Sequence, residues 1–138
     1  MIEVYFDGAC APNPYGRIGY GAIIFNDGKI VYEISKEYKC GSDVKTTNNM
    51  AEYCAAYAAL KYLIYKNWQQ LPIIFRGDSQ LVINQLSGKW QIGKGAYTDI
   101  ACRTKDLIQH FSRIQFEWLP REFNGLADKL SWKAIGLS

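Results

Sequence analysis

The sequence is poor in the residues that bind zinc, because it contains one histidine, His110, and no Cys-X-X-Cys pair. Zinc sites need several closely spaced cysteine or histidine ligands, so this class of metal site is not expected. The four cysteines do not suggest a disulfide framework. They are interpreted as buried thiols of a protein in a reducing compartment, the cytoplasm: Cys10, Cys40, Cys54 and Cys102.

Long apolar runs, internal repeats and low-complexity tracts are also absent from the sequence. No segment approaches the length of a membrane span, and nothing before Ile2 resembles a leader peptide, so no membrane partner is expected. With 138 residues and no linker, the chain is expected to form one domain, residues 1–138, and to act as a monomer. The formal net charge of +3 is compatible with a nucleic-acid partner but far below that of a histone-like binder.

Apolar alternation at the start of the chain predicts three strands. The first begins at Ile2 and stops at Asp7, the second covers residues 19–25 and the third covers residues 29–38. The Asn26-Asp27-Gly28 turn between the last two strands is a strong hairpin signal. We therefore expect an antiparallel meander.

The remaining elements alternate between helices and strands. An alanine-rich helix is followed by a short apolar strand, two helices, an alternating strand and a last helix. Their predicted ranges are 50–66 (helix), 72–76 (strand), 79–86 and 97–110 (helices), 113–119 (strand) and 124–135 (helix). The order β-β-β-α-β-α-α-β-α predicts an α/β fold.

Four acids recur at the ends of these elements: Asp7, Glu52, Asp78 and Asp128. Each has an ordinary structural explanation, which for Asp7 is a common Asp-Gly turn with Gly8. Glu52 fits a capping box with Asn49 in the first turn of its helix. Asp78 would suit the cap position of the following helix, and Asp128 would suit the surface of the last helix.

Taken together, the four acids favour a metal site. In α/β folds the carboxyl ends of strands and the helix starts that follow them converge on one edge of the sheet. Carboxylates gathered there repel one another unless a cation is present, and oxygen ligands suit Mg²⁺ or Mn²⁺. Two such ions, about 3.5–4 Å apart, are able to support phosphodiester hydrolysis.

Four short motifs resemble those of type 1 ribonuclease H, in order and in spacing across nearly the whole chain. They are Asp7-Gly8-Ala9-Cys10, Thr47-Asn48-Asn49-Met50-Ala51-Glu52, Gly77-Asp78-Ser79-Gln80 and Asn124-Gly125-Leu126-Ala127-Asp128. The resemblance implies a ribonuclease H-like α/β fold with helices on both faces of a five-stranded mixed sheet, three strands antiparallel and then two parallel. It also implies cleavage of the RNA strand of RNA–DNA hybrids, giving 5′-phosphate and 3′-hydroxyl ends.

The same resemblance assigns roles to residues. The four acids would be the catalytic ligands of two Mg²⁺ or Mn²⁺ ions, with Asp7 bridging them, Asp78 on the nucleophile side, and Glu52 and Asp128 on the leaving-group side. The implied substrate contacts are the backbone of Gly8, Ala9 and Cys10, the side chains of Asn13, Asn48 and Gln80 in the minor groove, Asn49 on the DNA strand and Thr47 in a phosphate pocket. Helix capping by Thr47, Asn48 and Asn49 is the alternative.

The sequence departs from the family pattern in two places. Many relatives carry a histidine before the last acid, but residues 120–123 have none, as in a histidine-free subgroup of archaeal and some bacterial enzymes. Arg121 or Glu122 is the candidate replacement, with a surface ion pair as the alternative, and His110 is interpreted as a structural helix-end residue.

The second departure is that the basic protrusion of larger relatives is missing. Residues 87–96 offer only Lys89, Trp90 and Lys94 for binding the DNA strand, and packing is the favoured role of Trp90. Weaker substrate retention is therefore expected. Two other functions stay open: a ribonuclease H domain of a reverse transcriptase or mobile element, and a weakly active hybrid-binding module. Double-stranded RNA is left open as a second partner.

Overall fold

The computed structural model describes residues 1–137. The elements are β1 (Ile2–Ala11), β2 (Arg17–Asn26), β3 (Lys29–Tyr38), α1 (Asn48–Tyr65), β4 (Ile73–Gly77), α2 (Gln80–Leu86), α3 (Thr98–Ile108), β5 (Ile114–Trp118) and α4 (Gly125–Lys133). A 3-10 turn, Arg121–Phe123, links β5 to α4. The predicted order of strands and helices is confirmed.

The five strands form one mixed sheet in the order β3-β2-β1-β4-β5. The first three strands pair in antiparallel fashion, whereas β4 is parallel to both β1 and β5. The β2–β3 hairpin turns at Asp27 and Gly28, whose positive φ values of 50° and 82° suit the tight turn expected from the sequence. The predicted fold class is therefore confirmed.

Helices cover both faces of the sheet. Ile2, Val4 and Phe6 are fully buried on the face that packs against α1, which is itself buried on most sides. On the other face α4 lies over β1 and β2. Gly21 allows this close approach, because a Cβ there would lie 2.7 Å from the carbonyl oxygen of Ala127.

The main difference from the predicted elements concerns the first strand, which does not stop at Asp7 but continues to Ala11. Parallel pairing with β4 ends at Tyr5 opposite Arg76, whereas antiparallel pairing with β2 continues to the end of the strand. Asp7 therefore lies inside β1, just beyond the point where one of its two neighbouring strands diverges. Other element ends differ from the predicted ones by at most two residues.

The cysteines are all free, but only two of them match the prediction of buried thiols. Cys10 and Cys54 are buried, whereas Cys40, beyond the end of β3, and Cys102, on α3, are exposed. His110 is exposed in the turn after α3, in agreement with a helix-end position. Between residues 1 and 137 there is no helix with the length and apolarity needed to cross a membrane.

Candidate active site

Asp7 is held in the sheet by its position in β1 and is almost completely buried, with 3% of its surface exposed. Its Oδ1 accepts a hydrogen bond from the backbone N–H of Gly8, 2.9 Å away. Gly8 is not a turn residue. A Cβ at Gly8 would overlap the backbone of Ala51 and Glu52, so its glycine identity lets α1 pack directly against β1.

Glu52 enters the site from α1. The helix is capped by Thr47, whose hydroxyl accepts a hydrogen bond from the N–H of Met50 at 3.2 Å. The proposed capping box with Asn49 is therefore wrong, and Glu52 lies beyond the first turn of the helix. Its side chain is buried, and Oε2 has no hydrogen-bond partner among the described residues.

Asp78 follows β4 directly and lies next to the other two acids. It is not the cap of α2, because Ser79 takes that position and accepts a hydrogen bond from the N–H of Val82 at 3.2 Å. The carboxylate of Asp78 is therefore available for the site. One oxygen from each of Asp7, Glu52 and Asp78 lies within 4.8 Å of the others.

Asp128 is placed at the margin of this group by the first turn of α4. Its Oδ1 accepts a hydrogen bond from Trp132 Nε1 at 3.2 Å. The nearby Asp128 carboxyl contributes to raising the pKa of Asp7. The sheet edge thus brings three of the four predicted acids tightly together and places the fourth beside Asp7.

The pKa values of Asp7 and Glu52 are strongly raised by their surroundings. Burial, reinforced by the charge of Asp78 and by the nearby Asp128 carboxyl, raises the pKa of Asp7 to about 7. Burial and the charge of Asp7 also raise the pKa of Glu52 well above its usual range. None of the ion pairs within residues 1–137 involves these acids, so their mutual repulsion is not offset by a basic side chain.

This donor set fits a hard divalent cation. Three clustered carboxylates offer only oxygen ligands, and the unpartnered Oε2 of Glu52 is a buried acceptor that a cation would satisfy. A cation would also stabilise the ionised forms that burial disfavours. A divalent metal site at these acids is therefore chemically consistent with the structure.

Several predicted substrate contacts lie together beside the acids. Asn48 Oδ1 accepts a hydrogen bond from the N–H of Cys10 at 3.0 Å, and the N–H of Asn48 donates to Asn13 Oδ1 at 3.2 Å. These bonds tie the start of α1 to the end of β1 and the loop after it. The backbone N–H of Cys10 is thereby already engaged within the protein.

The other predicted substrate contacts differ in how exposed they are. Ala9 is buried, Asn49 is partly exposed at the start of α1, and Gln80 is exposed at the start of α2. Arg121 and Glu122 are exposed in the 3-10 turn. Neither forms an ion pair within the described part of the chain, so the surface ion pair considered as their alternative role is not observed.

Two residues that the sequence did not assign to the site also contact it. Asn124, treated only as a helix opener, is 1% exposed and donates to Asp78 Oδ2 at 3.0 Å. The indole Nε1 of Trp118 donates to the backbone carbonyl of Asp78, also at 3.0 Å. Both contacts depend on how β4, β5 and α4 come together, which the sequence does not show. The only signal in the sequence was that Asn124 lies inside the fourth motif.

Known proteins with similar sequences and structures were found for nearly the whole chain. A family model described as reverse transcriptase-like matches residues 5–134. The bifunctional protein Rv2228c of Mycobacterium tuberculosis H37Rv is 32% identical over 135 residues, a match that covers 97% of this chain. The match covers only 35% of that relative, so the chain spans about a third of the length of the first curated relatives it matches.

Two crystal structures share the fold closely. Ribonuclease H1 from the archaeon Halobacterium salinarum NRC-1 is 34% identical, with a TM-score of 0.84 and coverage of 97% of this chain and 96% of its own. LC11 ribonuclease H1, isolated from compost and solved with an RNA/DNA hybrid, is 27% identical, with a TM-score of 0.84 and coverage of 98% and 96%. The chain therefore belongs to the type 1 ribonuclease H family.

Proposed function

We propose that the protein is a ribonuclease H that hydrolyses the RNA strand of RNA–DNA hybrids, leaving 5′-phosphate and 3′-hydroxyl ends. The observation that carries this proposal is the cluster of Asp7, Glu52 and Asp78, whose oxygens lie within 4.8 Å of one another without a basic partner in the described chain. The kinship with LC11 ribonuclease H1, crystallised with such a hybrid, supports the choice of substrate.

Two Mg²⁺ or Mn²⁺ ions would be held by Asp7, Glu52, Asp78 and Asp128. When bound, such a pair activates a water molecule and stabilises the leaving oxygen of a phosphodiester. The protein's own contribution is to hold the carboxylates in a buried group. Asp7 suits the bridging position, because it interacts with each of the other three acids.

The remaining roles follow the family pattern. Asp78 would hold the nucleophile-side ion, and Glu52 and Asp128 the leaving-group side. The position of Asp78 directly after β4, separate from α1 and α4, supports this division. The burial of Glu52 keeps water away from its carboxylate, which strengthens any interaction with a cation there.

Recognition of RNA is assigned to the surface beside the acids. Asn13, Asn48 and Gln80, with the backbone of Gly8, Ala9 and Cys10, would contact 2′-hydroxyls and bases in the minor groove, which distinguish RNA from DNA. Asn49 would face the DNA strand and Thr47 a phosphate. The exposure of Asn13, Asn48 and Gln80 supports this assignment, and the exposed Arg121 or Glu122 would assist in place of the missing histidine.

The test is cleavage of a hybrid whose RNA strand is labelled, with Mg²⁺ or with EDTA. We expect the parent to cleave the hybrid in a metal-dependent way. In an Asp78→Asn variant the cleavage rate should fall by more than roughly 10–100-fold, the loss typical when a metal ligand loses its hydrogen-bond partner. Asp106→Asn is the matched control, because Asp106 is exposed on α3, and it should behave like the parent. Hybrid binding without metal-dependent cleavage would reject the enzyme in favour of a binding module.

Three further observations test the wider context of the activity. We propose that residues 1–138 form a single ribonuclease H domain that acts as a cytoplasmic monomer, and sedimentation of the purified protein tests its oligomeric state. An RNA–RNA duplex in the cleavage assay tests whether double-stranded RNA is a second substrate. Sequences flanking this domain in its gene would reveal a reverse transcriptase or mobile element, where the chemistry would be the same.

A further inference from the structure

Asn124 connects three of the elements that carry the acids. It lies between the 3-10 turn and α4, with 1% of its surface exposed. Its Nδ2 donates to the carbonyl oxygen of Phe6 in β1 at 2.9 Å and to Asp78 Oδ2 at 3.0 Å. Its own carbonyl accepts the N–H of Asp128 at 3.0 Å.

The bond to Phe6 occurs where the sheet opens. Parallel pairing between β1 and β4 ends at Tyr5 opposite Arg76, and Phe6 is the next residue. A buried carbonyl beyond the last rung of a ladder needs another donor. The side chain of Asn124 supplies it, and so occupies the gap between the diverging strands immediately next to Asp7.

The orientation of the Asn124 amide is fixed by its partners. The carbonyl of Phe6 and the carboxylate of Asp78 are both acceptors, so only the NH₂ group is able to face them. The remaining atom, Oδ1, is buried and has no partner among the described residues. Asn124 thus uses its two donors to hold one oxygen of Asp78 at a set distance from the backbone of β1.

We propose that Asn124 is a positioning residue for the metal site, which acts by holding the Asp78 carboxylate against the Asp7 strand. This inference rests on the proposed metal-dependent function. Without the amide, Asp78 would be free to rotate on a carboxylate-rich edge where repulsion drives it away from Asp7. The predicted consequence is weaker metal binding, with no direct effect on contacts to the nucleic acid.

The experiment measures Mn²⁺ affinity by calorimetry for the parent, Asn124→Ala and Asn124→Leu. The leucine variant keeps the number of side-chain heavy atoms and the branched shape, and it removes both donors. Each variant should bind Mn²⁺ about tenfold more weakly or worse, as is typical when a ligand's hydrogen-bond partner is lost. Cleavage at low Mg²⁺ should fall in parallel and recover as Mg²⁺ is raised, with the KM for hybrid unchanged.

Gln85→Leu is the matched control. Gln85 is also 1% exposed, accepts from Tyr53 and donates to Tyr97 and Gln91, and none of these partners is one of the four acids. This variant should lose stability but keep the parent's Mn²⁺ affinity. The positioning role would be overturned if Gln85→Leu lost as much Mn²⁺ affinity as the Asn124 variants, or if both Asn124 variants kept the parental affinity. A parent that binds no metal would instead reject the proposed function.

Discussion

The backbone of Glu52 packs so closely against Gly8 that no side chain fits between them, since a Cβ at Gly8 would overlap the backbone of Ala51 and Glu52. This contact sets the distance between α1 and β1. It therefore also sets the distance between the carboxylates of Glu52 and Asp7, which those two elements carry. The glycine is thus a structural requirement of the acid cluster.

A Gly8→Ala variant should therefore be less stable and bind Mn²⁺ more weakly. Overpacking of this kind costs about 1–3 kcal/mol, and the overlap is with backbone that has no alternative rotamer. Urea denaturation and calorimetry measure the two effects. Gly125→Ala is the control, because nothing lies within 4 Å of a Cβ there, and its stability should change by less than about 0.5 kcal/mol. Parental behaviour of Gly8→Ala would contradict the packing argument.

Without metal, the acid cluster should destabilise the fold in a pH-dependent way. The pKa of Asp7 rises from 3.8 to about 7 because of burial, so the folded state holds a proton that the unfolded state releases between these values. Stability should fall as pH rises through this window, and the full penalty should be present above pH 7. An Asp7→Asn variant removes the penalty.

In EDTA, Asp7→Asn should consequently be more stable than the parent at pH 8, by roughly 2–4 kcal/mol, and nearly equal to it at pH 4. Urea denaturation at the two pH values measures the difference. Saturating Mg²⁺ should stabilise the parent at pH 8 and have little effect on the variant. If the variant gained the same free energy of unfolding at both pH values, the effect would come from packing and not from charge.

The fold was predictable because its signals are local. Alternation along the strands, the Asp27-Gly28 turn and the alanine-rich helix each identify an element within about ten residues. The end of β1 was not predictable in this way. Whether Asp7-Gly8 forms a turn or a strand depends on β2, which keeps pairing with β1 after β4 has diverged, and this is a tertiary fact.

The same distinction between local signals and tertiary contacts applies to the site. The acids were identifiable because the sequence pattern places each of them near a strand end or a helix start, and α/β topology brings such positions to one edge. The capping roles were misassigned to Asn49 and Asp78, because a neighbouring polar residue, Thr47 for α1 and Ser79 for α2, competes equally well in sequence. Asn124 was missed as a site residue, since its two acceptors lie 118 and 46 residues away in the chain.

Hybrid binding should depend partly on the short connection between α2 and α3. Lys89 and Lys94 are exposed there, where larger relatives are expected to carry a basic protrusion. A Lys89→Ser/Lys94→Ser variant should bind hybrid more weakly, and the slope of log K against log salt should fall by about 1–2 if both contact phosphates. Lys29→Ser, at the β2–β3 hairpin far from Asp7, should leave the slope unchanged.

Grafting a basic helix and loop between Leu86 and Tyr97 provides the converse test. The added charge should tighten hybrid binding, most clearly at low salt where phosphate contacts are strongest. Filter binding over a series of salt concentrations measures both changes. Equal Kd values before and after the graft would contradict the expectation that this compact chain retains its substrate weakly.

Asn48 should contribute to the choice of RNA over DNA. Its side chain is exposed beside the acids, although its Oδ1 already accepts the N–H of Cys10 at 3.0 Å. The Nδ2 group remains available as a donor to a 2′-hydroxyl. A single 2′-deoxynucleotide, moved along the RNA strand, should slow the parent at one position by about 5–10-fold, which is the value of one hydrogen bond.

In Asn48→Ala that penalty should disappear at the same position, while the rate on the unmodified hybrid falls. The ratio of the cleavage rate on the unmodified hybrid to the rate on the 2′-deoxy-substituted hybrid separates RNA recognition from structure. Loss of the Cys10 bond would slow cleavage of both substrates equally and leave the ratio intact, whereas loss of a 2′-hydroxyl contact abolishes it. Asn84→Ala, on α2, is the matched control and should keep the parental ratio. A parental ratio in Asn48→Ala as well would assign Asn48 to holding β1 against α1 and leave RNA recognition to Asn13 and Gln80.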